Sequence, residues 1–376
     1  MTMKSANLDL IKKINRDLVL DTIRTDQPIS RASIAQKIGM SRSTVSLIVD
    51  ELIAKKFVSE TGLGSSTKEG GRRAIQLRFN PSSAYGIGIE LADKGYLICV
   101  SDLDGTIVTQ VKYKEKPTLE RIRDHLLETV QKANISLDKV ITVGFCVPGL
   151  TNSVDGIVVD APELEWKNVH LAGQFRKLLD KPIYVNNDVN CAALGERWLG
   201  AGQNIDDFIY ISIRAGIGSA IIANGKLVQG KDFMAGELGY FAFEEDLLYQ
   251  NVNTLGSFGT FDKKVSVDAL SHYASSVEDL FDQYKRGEIQ AVRVVQRFVN
   301  HLSLGIANMV SLLNPEKVII GGQLGSYMEG LLPEVRQIVE RITPIRTLIE
   351  PTQVGENSGV LGIIAYSFEN VQDVIN

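Results

Sequence analysis

The chain has 376 residues, 44% apolar and 23% charged, with a net charge of −5. That length holds two or three domains with their own cores. No stretch approaches the apolar length of a membrane span and no cationic leader opens the chain, so a soluble, cytoplasmic protein is expected. Cys99, Cys146 and Cys191 are scattered singly, which fits small buried hydrophobes in a reducing compartment and argues against a disulfide set or metal cluster.

The charge is unevenly spread. Residues 1–80 carry +6 and residues 81–376 carry −11. A basic head on an acidic body is the balance expected of a DNA-binding module joined to a regulatory domain that does not itself touch DNA.

In chain order, Leu10, Ile14, Leu18, Leu20 and Ile23 give a first helix an apolar side. Ser30 caps a second helix carrying Ile34, Ala35 and Ile38 at helical spacing, and Gly39 supplies a sharp turn. Ser41 then starts a third helix with Val45, Ile48, Val49 and Leu52 facing inward. This is a helix-turn-helix pattern. Arg31, Ser41, Arg42, Ser43, Thr44 and Ser46 are its candidate DNA contacts, short hydrogen-bonding groups and guanidinium groups suited to base edges and phosphates. A strand over 57–60, a Gly/Ser-rich turn over 61–73 and a returning strand over 74–79 add a wing. Lys68, Gly71, Arg72 and Arg73 lie at its tip, within reach of phosphates or a minor groove. An ordinary helical hairpin followed by a solvated linker is the competing reading.

From Pro81 the pattern turns to α/β. Strands over 84–91, 96–101 and 105–111 precede a helix over 119–133 and an apolar strand over 140–147. The order recurs with strands over 208–213, 219–223 and 226–228, a helix over 291–313 and a strand over 317–320. Two such halves predict a duplicated α/β domain with a cleft between lobes, so the expected organisation is a winged helix over 1–80 and a two-lobed body over 81–376.

The pieces Gly70-Gly71-Arg72-Arg73, Val147-Pro148-Gly149, Asn187-Asp188-Val189-Asn190 with Glu196, Gly216-Ile217-Gly218, Ala235-Gly236-Glu237-Leu238-Gly239 and Gly321-Gly322 occur in this order behind the winged helix. In that order the chain resembles the ROK family of repressors, open reading frames and sugar kinases, most closely its winged-helix members typified by xylose-operon repressors. The resemblance implies an actin/hexokinase-like (ribonuclease H-like) body, a sugar in the interlobe cleft and a homodimer.

It also implies site roles. Asn187 is placed on sugar hydroxyls, Asp188 where kinases keep the base, Glu237 as a second carboxylate contact, and Gly149 as backbone close to the cleft. Aligning Gly259-Thr260-Phe261-Asp262 on the family pattern puts Asp262 at a third acidic contact. Glu163 and Trp166 fall where relatives contribute an Asn and a Trp, and core packing suits Trp166 better.

The chain departs from the kinase pattern at three points. Where family kinases carry Asp-x-Gly-Gly-Thr to hold ATP phosphates, it reads Glu90-Leu91-Ala92-Asp93-Lys94. That loop has no glycine, and its acids are electrostatically wrong for a polyanion. The second phosphate loop reads Arg214-Ala215-Gly216-Ile217-Gly218, with Arg214 free to pair with Asp188, to bind a phosphorylated effector or simply to end a strand. Tyr240 replaces the family's zinc-ligating His, and no cysteine follows Cys191. Neither ATP nor zinc is expected, and segment 241–261 is expected to be mobile until effector binds.

The leading expectation is therefore a cytoplasmic, dimeric repressor of carbohydrate genes that binds a palindromic operator and releases it on binding a sugar or sugar phosphate. A sugar kinase with an appended DNA head, and a sensor whose head contacts protein, are the alternatives. The sign of the sugar effect stays open.

Overall fold

A computed structural model describes residues 3–63 and 73–371. It separates into two compact units. One comprises residues up to Tyr85 together with Asp102–Asp104, and the other begins at Gly86 and resumes at Gly105. The turn at Asp102–Asp104 joins the head through local bonds: Leu103 N–H donates to Pro81 O at 3.2 Å, and Arg24 pairs with Asp104 at 2.9 Å.

The head consists of α1 (Met3–Asp26), β1 (Ile29–Ser30), α2 (Arg31–Ile38), α3 (Arg42–Ala54), β2 (Val58–Leu63) and β3 (Ile75–Phe79), with sheet order β1-β3-β2. Local chemistry sets the boundaries. The Ser30 side chain accepts from Ser33 N and that of Ser41 from Thr44 N, closing the two helix starts. Gly39 ends α2 at φ 69°, a left-handed geometry that glycine adopts without a Cβ penalty. Val45, Ile48, Val49 and Leu52 are buried beneath α3 with Ile34 and Ala35 of α2.

The body opens with β4 (Tyr85–Ala92), β5 (Gly95–Asp102), β6 (Ile107–Tyr113), α4 (Leu119–Lys132) and β7 (Val140–Val147). A small sheet of β8 (Leu150–Asn152), β9 (Ile157–Ala161) and β10 (Trp166–Val169) follows, then α5 (Leu171–Leu178), β11 (Ile183–Asn187) and α6 (Asp188–Leu199). The second half runs β12 (Phe208–Ile213), β13 (Ile217–Ala223), β14 (Lys226–Leu227), α7 (Glu244–Leu248), α8 (Val267–Ser271), α9 (Val277–Lys285), α10 (Ile289–Leu313), β15 (Lys317–Gly322), α11 (Gly325–Ile342), β16 (Leu348–Pro351) and α12 (Ser358–Asn370).

The duplication is written in the sheets. One has the order β11-β7-β4-β5-β6, and the other, from its opposite edge, β16-β15-β12-β13-β14. In each half a three-stranded meander is extended by parallel strands, and the last of these leads into a helix, α6 or α12. These two helices cross at backbone contact. A Cβ on Gly362 would lie 1.6 Å from Cys191 O, and one on Gly195 would lie 2.2 Å from Ser358 O. The crossing joins the lobes, and the cleft opens at the N-terminal ends of both helices. The sequence reading did not find α12, β16 or the small β8–β10 sheet.

Segment 241–261 carries a buried carboxylate, that of Asp246. Asp246, 1% exposed, accepts from Phe243 N at 2.9 Å and Asn251 Nδ2 at 3.1 Å, and pairs with Lys264 at 2.9 Å. Asn253 bridges Tyr240 O and Thr260 N at 2.7 and 2.8 Å. The residues there do not fit zinc: the segment has neither Cys nor His, and Asp246, the buried one of its three acids, is already taken up by N–H donors. These bonds tie the segment into a knot. Among the described residues no helix is long and apolar enough to cross a membrane.

Candidate functional sites: a DNA-reading helix and an interlobe cleft

At the start of α3, Ser41, Arg42, Ser43 and Thr44 are exposed and Ser46 is half-buried. Ser41 Oγ lies 2.8 Å from both Ser43 Oγ and Thr44 Oγ1, so the cap orders a small hydroxyl cluster at the outer end of the helix. Leu47 shares this exposed face at 64% exposure. Arg31 is engaged within the head, pairing with Asp50 of α3 and Glu60 of β2 at 2.8 Å each. It braces the reading helix against the wing. Arg73 is exposed beside β3, while Lys68, Gly71 and Arg72 lie outside the described residues.

In the body, β11 runs parallel to β7 with Asn187 opposite Val147, which brings Asn187 beside the turn at Gly149. Asn187 Oδ1 accepts from Val189 N and Asn190 N, capping α6, while its Nδ2 donates to Gly149 O at 2.9 Å and to Asp188 Oδ1 at 3.0 Å. Gly149 has φ 108°, and a Cβ there would lie 2.4 Å from Asp160 O, so only glycine fits this approach. One asparagine thus starts the helix and presents Asp188.

Arg214, at the end of β12, reaches across. Its Nη2 donates to Glu90 of β4 at 3.4 Å, and its Nη1 lies 3.8 Å from Asp188 Oδ2. Side-chain exposure is 43% for Arg214, 14% for Glu90 and 17% for Asp188. Burial raises both carboxyl pKa values, Arg214 pulls each back, and their mutual repulsion adds to the rise at Glu90. Burial also works against the Arg214 cation, but Asp188 and Glu90 outweigh it and hold its pKa above the ordinary range.

Asp262 is buried, and each of its oxygens is bonded to backbone. Its Oδ1 accepts from Ile217 N and its Oδ2 from Gly259 N, each at 2.7 Å. Glycines surround it, since a Cβ on Gly239 or Gly216 would come within 2.3 or 2.8 Å of its oxygens. Burial lifts its pKa against those two amide donors. Asp262 is therefore a staple between 216–218 and 239–259. Its carboxylate sits on an amide of the loop that the resemblance assigns to phosphate.

Glu237 follows Gly236, whose carbonyl accepts from Ser219 N and Oγ at 3.1 and 2.7 Å. Loss of solvation, then Asp262 and Asp188, raise its carboxyl pKa. Glu163 behaves likewise, with desolvation first and the charges of Asp188 and Asp93 adding to it. Asn187, Asp188, Gly149 and Arg214 are thus in one polar constellation, Glu237 and Glu163 share its field, and Asp262 is bonded to backbone through both oxygens. The role of Glu90 was missed. Its acid was visible in the sequence, but nothing local connected it to Arg214. Among the described residues no group of three or more His, Cys, Asp or Glu side chains is placed to hold a metal ion.

Comparison with known proteins agrees with this architecture. The chain is 31% identical to the xylose repressor of Caldicellulosiruptor bescii, over 96% of each chain, and 28% identical to that of Bacillus subtilis, over 99% and 100%. Among solved structures, a ROK family transcriptional regulator described as a homologue of the Escherichia coli MLC protein matches with a TM-score of 0.80 at 26% identity, covering 97% of this chain and 96% of that one. The body also matches a ROK family glucokinase of Streptomyces griseus crystallised with glucose and AMPPNP, at TM-score 0.64 and 25% identity, covering 76% of this chain and all of the kinase. The ROK family model itself matches residues 86–369. With an actin/hexokinase-like body of two duplicated lobes, the chain belongs to the ROK family.

Proposed function

We propose that this protein is a sugar-responsive transcriptional repressor. Its winged helix binds operator DNA, and a sugar held at Asn187, Asp188, Glu237 and the Gly149 turn controls that binding. The observation that carries this reading is the union of an uncovered DNA-reading helix with a kinase-like cleft whose phosphate loops hold Glu90, Arg214 and Asp262. Carboxylates and an amide suit sugar hydroxyls, whereas ATP would bring its phosphates against acids. Asp188 then serves to hold a hydroxyl, and neither ATP nor zinc is required. Two heads in a homodimer match a palindromic operator, and the repressor names of the relatives point the same way.

By linkage, a sugar that loosens DNA binding must itself bind less tightly to the DNA complex, by the same factor. The test is fluorescence anisotropy of the full chain on DNA upstream of its own gene. D-xylose, D-glucose, N-acetylglucosamine and their phosphates serve as probes. Release by one of them supports the reading; tight operator binding indifferent to every sugar overturns it. Arg42→Ala is expected to lower the log–log salt slope by about 1, the loss of one phosphate contact. An unchanged slope would place Arg42 off the phosphates. Measurable ATP turnover with any of these sugars, lost in Asp188→Asn, would favour the kinase alternative instead.

A further inference from the structure

The charges in the cleft are divided between the lobes. Glu90 on β4 belongs to the first lobe and Arg214 at the end of β12 to the second, while Asp188 stands at their junction, following β11 of the first sheet and opening α6, which packs on the second. The Glu90 contact of this guanidinium therefore crosses the cleft, and the Asp188 contact anchors it at the junction. The Glu90 contact lies beside the α6–α12 crossing that joins the lobes: a Cβ on Gly359, in the first turn of α12, would lie 3.0 Å from Glu90 Oε2. The separations of 3.4 and 3.8 Å are longer than the 2.7–2.9 Å usual for a charge-assisted N–H···O bond. The strap is engaged but not drawn tight.

We infer that Glu90, Arg214 and Asp188 form an electrostatic strap that sets the spacing of the two lobes, with Glu90 as a positioning residue acting through Arg214. Removing Arg214 takes away the guanidinium that pairs with both acids. Without Glu90 the guanidinium is left with its longer contact to Asp188 alone. Resting on the sugar-responsive reading above, a sugar that hydrogen-bonds Asp188 competes for one end of the strap. Ligand occupancy is thereby converted into a change of lobe spacing, which is the differential contact that a population shift requires.

The strap is tested without any sugar. Gln131 on α4 and Gln337 on α11 are exposed and lie on opposite lobes, and the three native cysteines are buried, so Gln131→Cys with Gln337→Cys accepts a pair of spin labels at defined positions. Pulsed dipolar spectroscopy of the full chain is expected to show the interlobe distance lengthening and broadening in Glu90→Gln and in Arg214→Gln. The double variant should resemble Arg214→Gln, because loss of the guanidinium already removes the Glu90 contact. Arg214→Lys, which keeps the charge, should stay near the parent distribution. Glu90→Gln preserves shape and volume, and a melting curve on each labelled variant separates opening from unfolding. A Glu90→Gln distribution superimposable on the parent overturns the strap, as does additive behaviour of the double variant. Either result leaves the operator and sugar reading standing, and failure of every sugar to release DNA leaves the strap standing.

Discussion

Gly362→Ala is expected to destabilise the body by about 3 kcal/mol or more, read as a fall in the urea midpoint at constant slope. The added Cβ would sit 1.6 Å from Cys191 O, in contact with backbone rather than with a side chain that could rotate away. The helices must separate, and around them Cys146, Cys191, Ile363 and Val360 are packed with no exposure at all. Interiors at that density transmit such a shift instead of absorbing it. Gly195, whose Cβ would meet Ser358 O at 2.2 Å, marks the other side of the same crossing. A loss below about 1 kcal/mol would mean that the crossing yields easily, and would remove its standing as the rigid joint between lobes.

Glu196→Ala is expected to cost about 3–5 kcal/mol by the same measurement. Glu196, in the last turn of α6, is completely buried. Its carboxylate accepts from Ala201 N at 2.8 Å, Val354 N at 2.9 Å and Gln353 N at 3.1 Å, and from the Thr352 hydroxyl. Truncation strands those donors and leaves a void where a charged group had organised two loops. One of these loops follows α6, and the other carries the chain from β16 towards α12. Glu196→Gln keeps the volume but presents an amide N–H to a shell of donors, so it should recover only part of the loss. Full recovery by glutamine would show that packing, and not the carboxylate, fixes this junction.

How much of this was legible in the sequence depends on the range over which each feature is determined. The head was readable because its rules are local: Ser30 and Ser41 cap within three residues, Gly39 turns in one, and the α3 apolar positions recur at helical spacing. The duplication was readable as a repeated order of meander, helix and strand. By contrast α12, Ser-Gly-Val-Leu-Gly-Ile-Ile-Ala-Tyr-Ser, is apolar nearly all round because it is buried nearly all round, so no amphipathic period announces it.

The site divides along the same line. Asn187-Asp188 sits at a strand-to-helix junction, where polar residues face a crevice. The partnership of Arg214 with Glu90 spans 124 residues, and that of Asp262 with Ile217 spans 45, so neither leaves a local trace. The expected sugar contact at Asp262 followed from alignment of a short motif; which atoms the carboxylate already served could be read only in three dimensions.

The knot at Asp246 has a consequence for what can disturb it. Burial opposes the Asp246 charge, but the N–H groups of Phe243 and Asn251 and the ammonium of Lys264 outweigh it, so the pKa falls below its ordinary 3.8. A depressed carboxyl pKa contributes stability that is present above the ordinary value and lost as pH drops through the folded one. Segment 241–261 should accordingly come loose only in strong acid. With no thiol or thioether within it, the same segment offers no sulfur for an oxidant to attack.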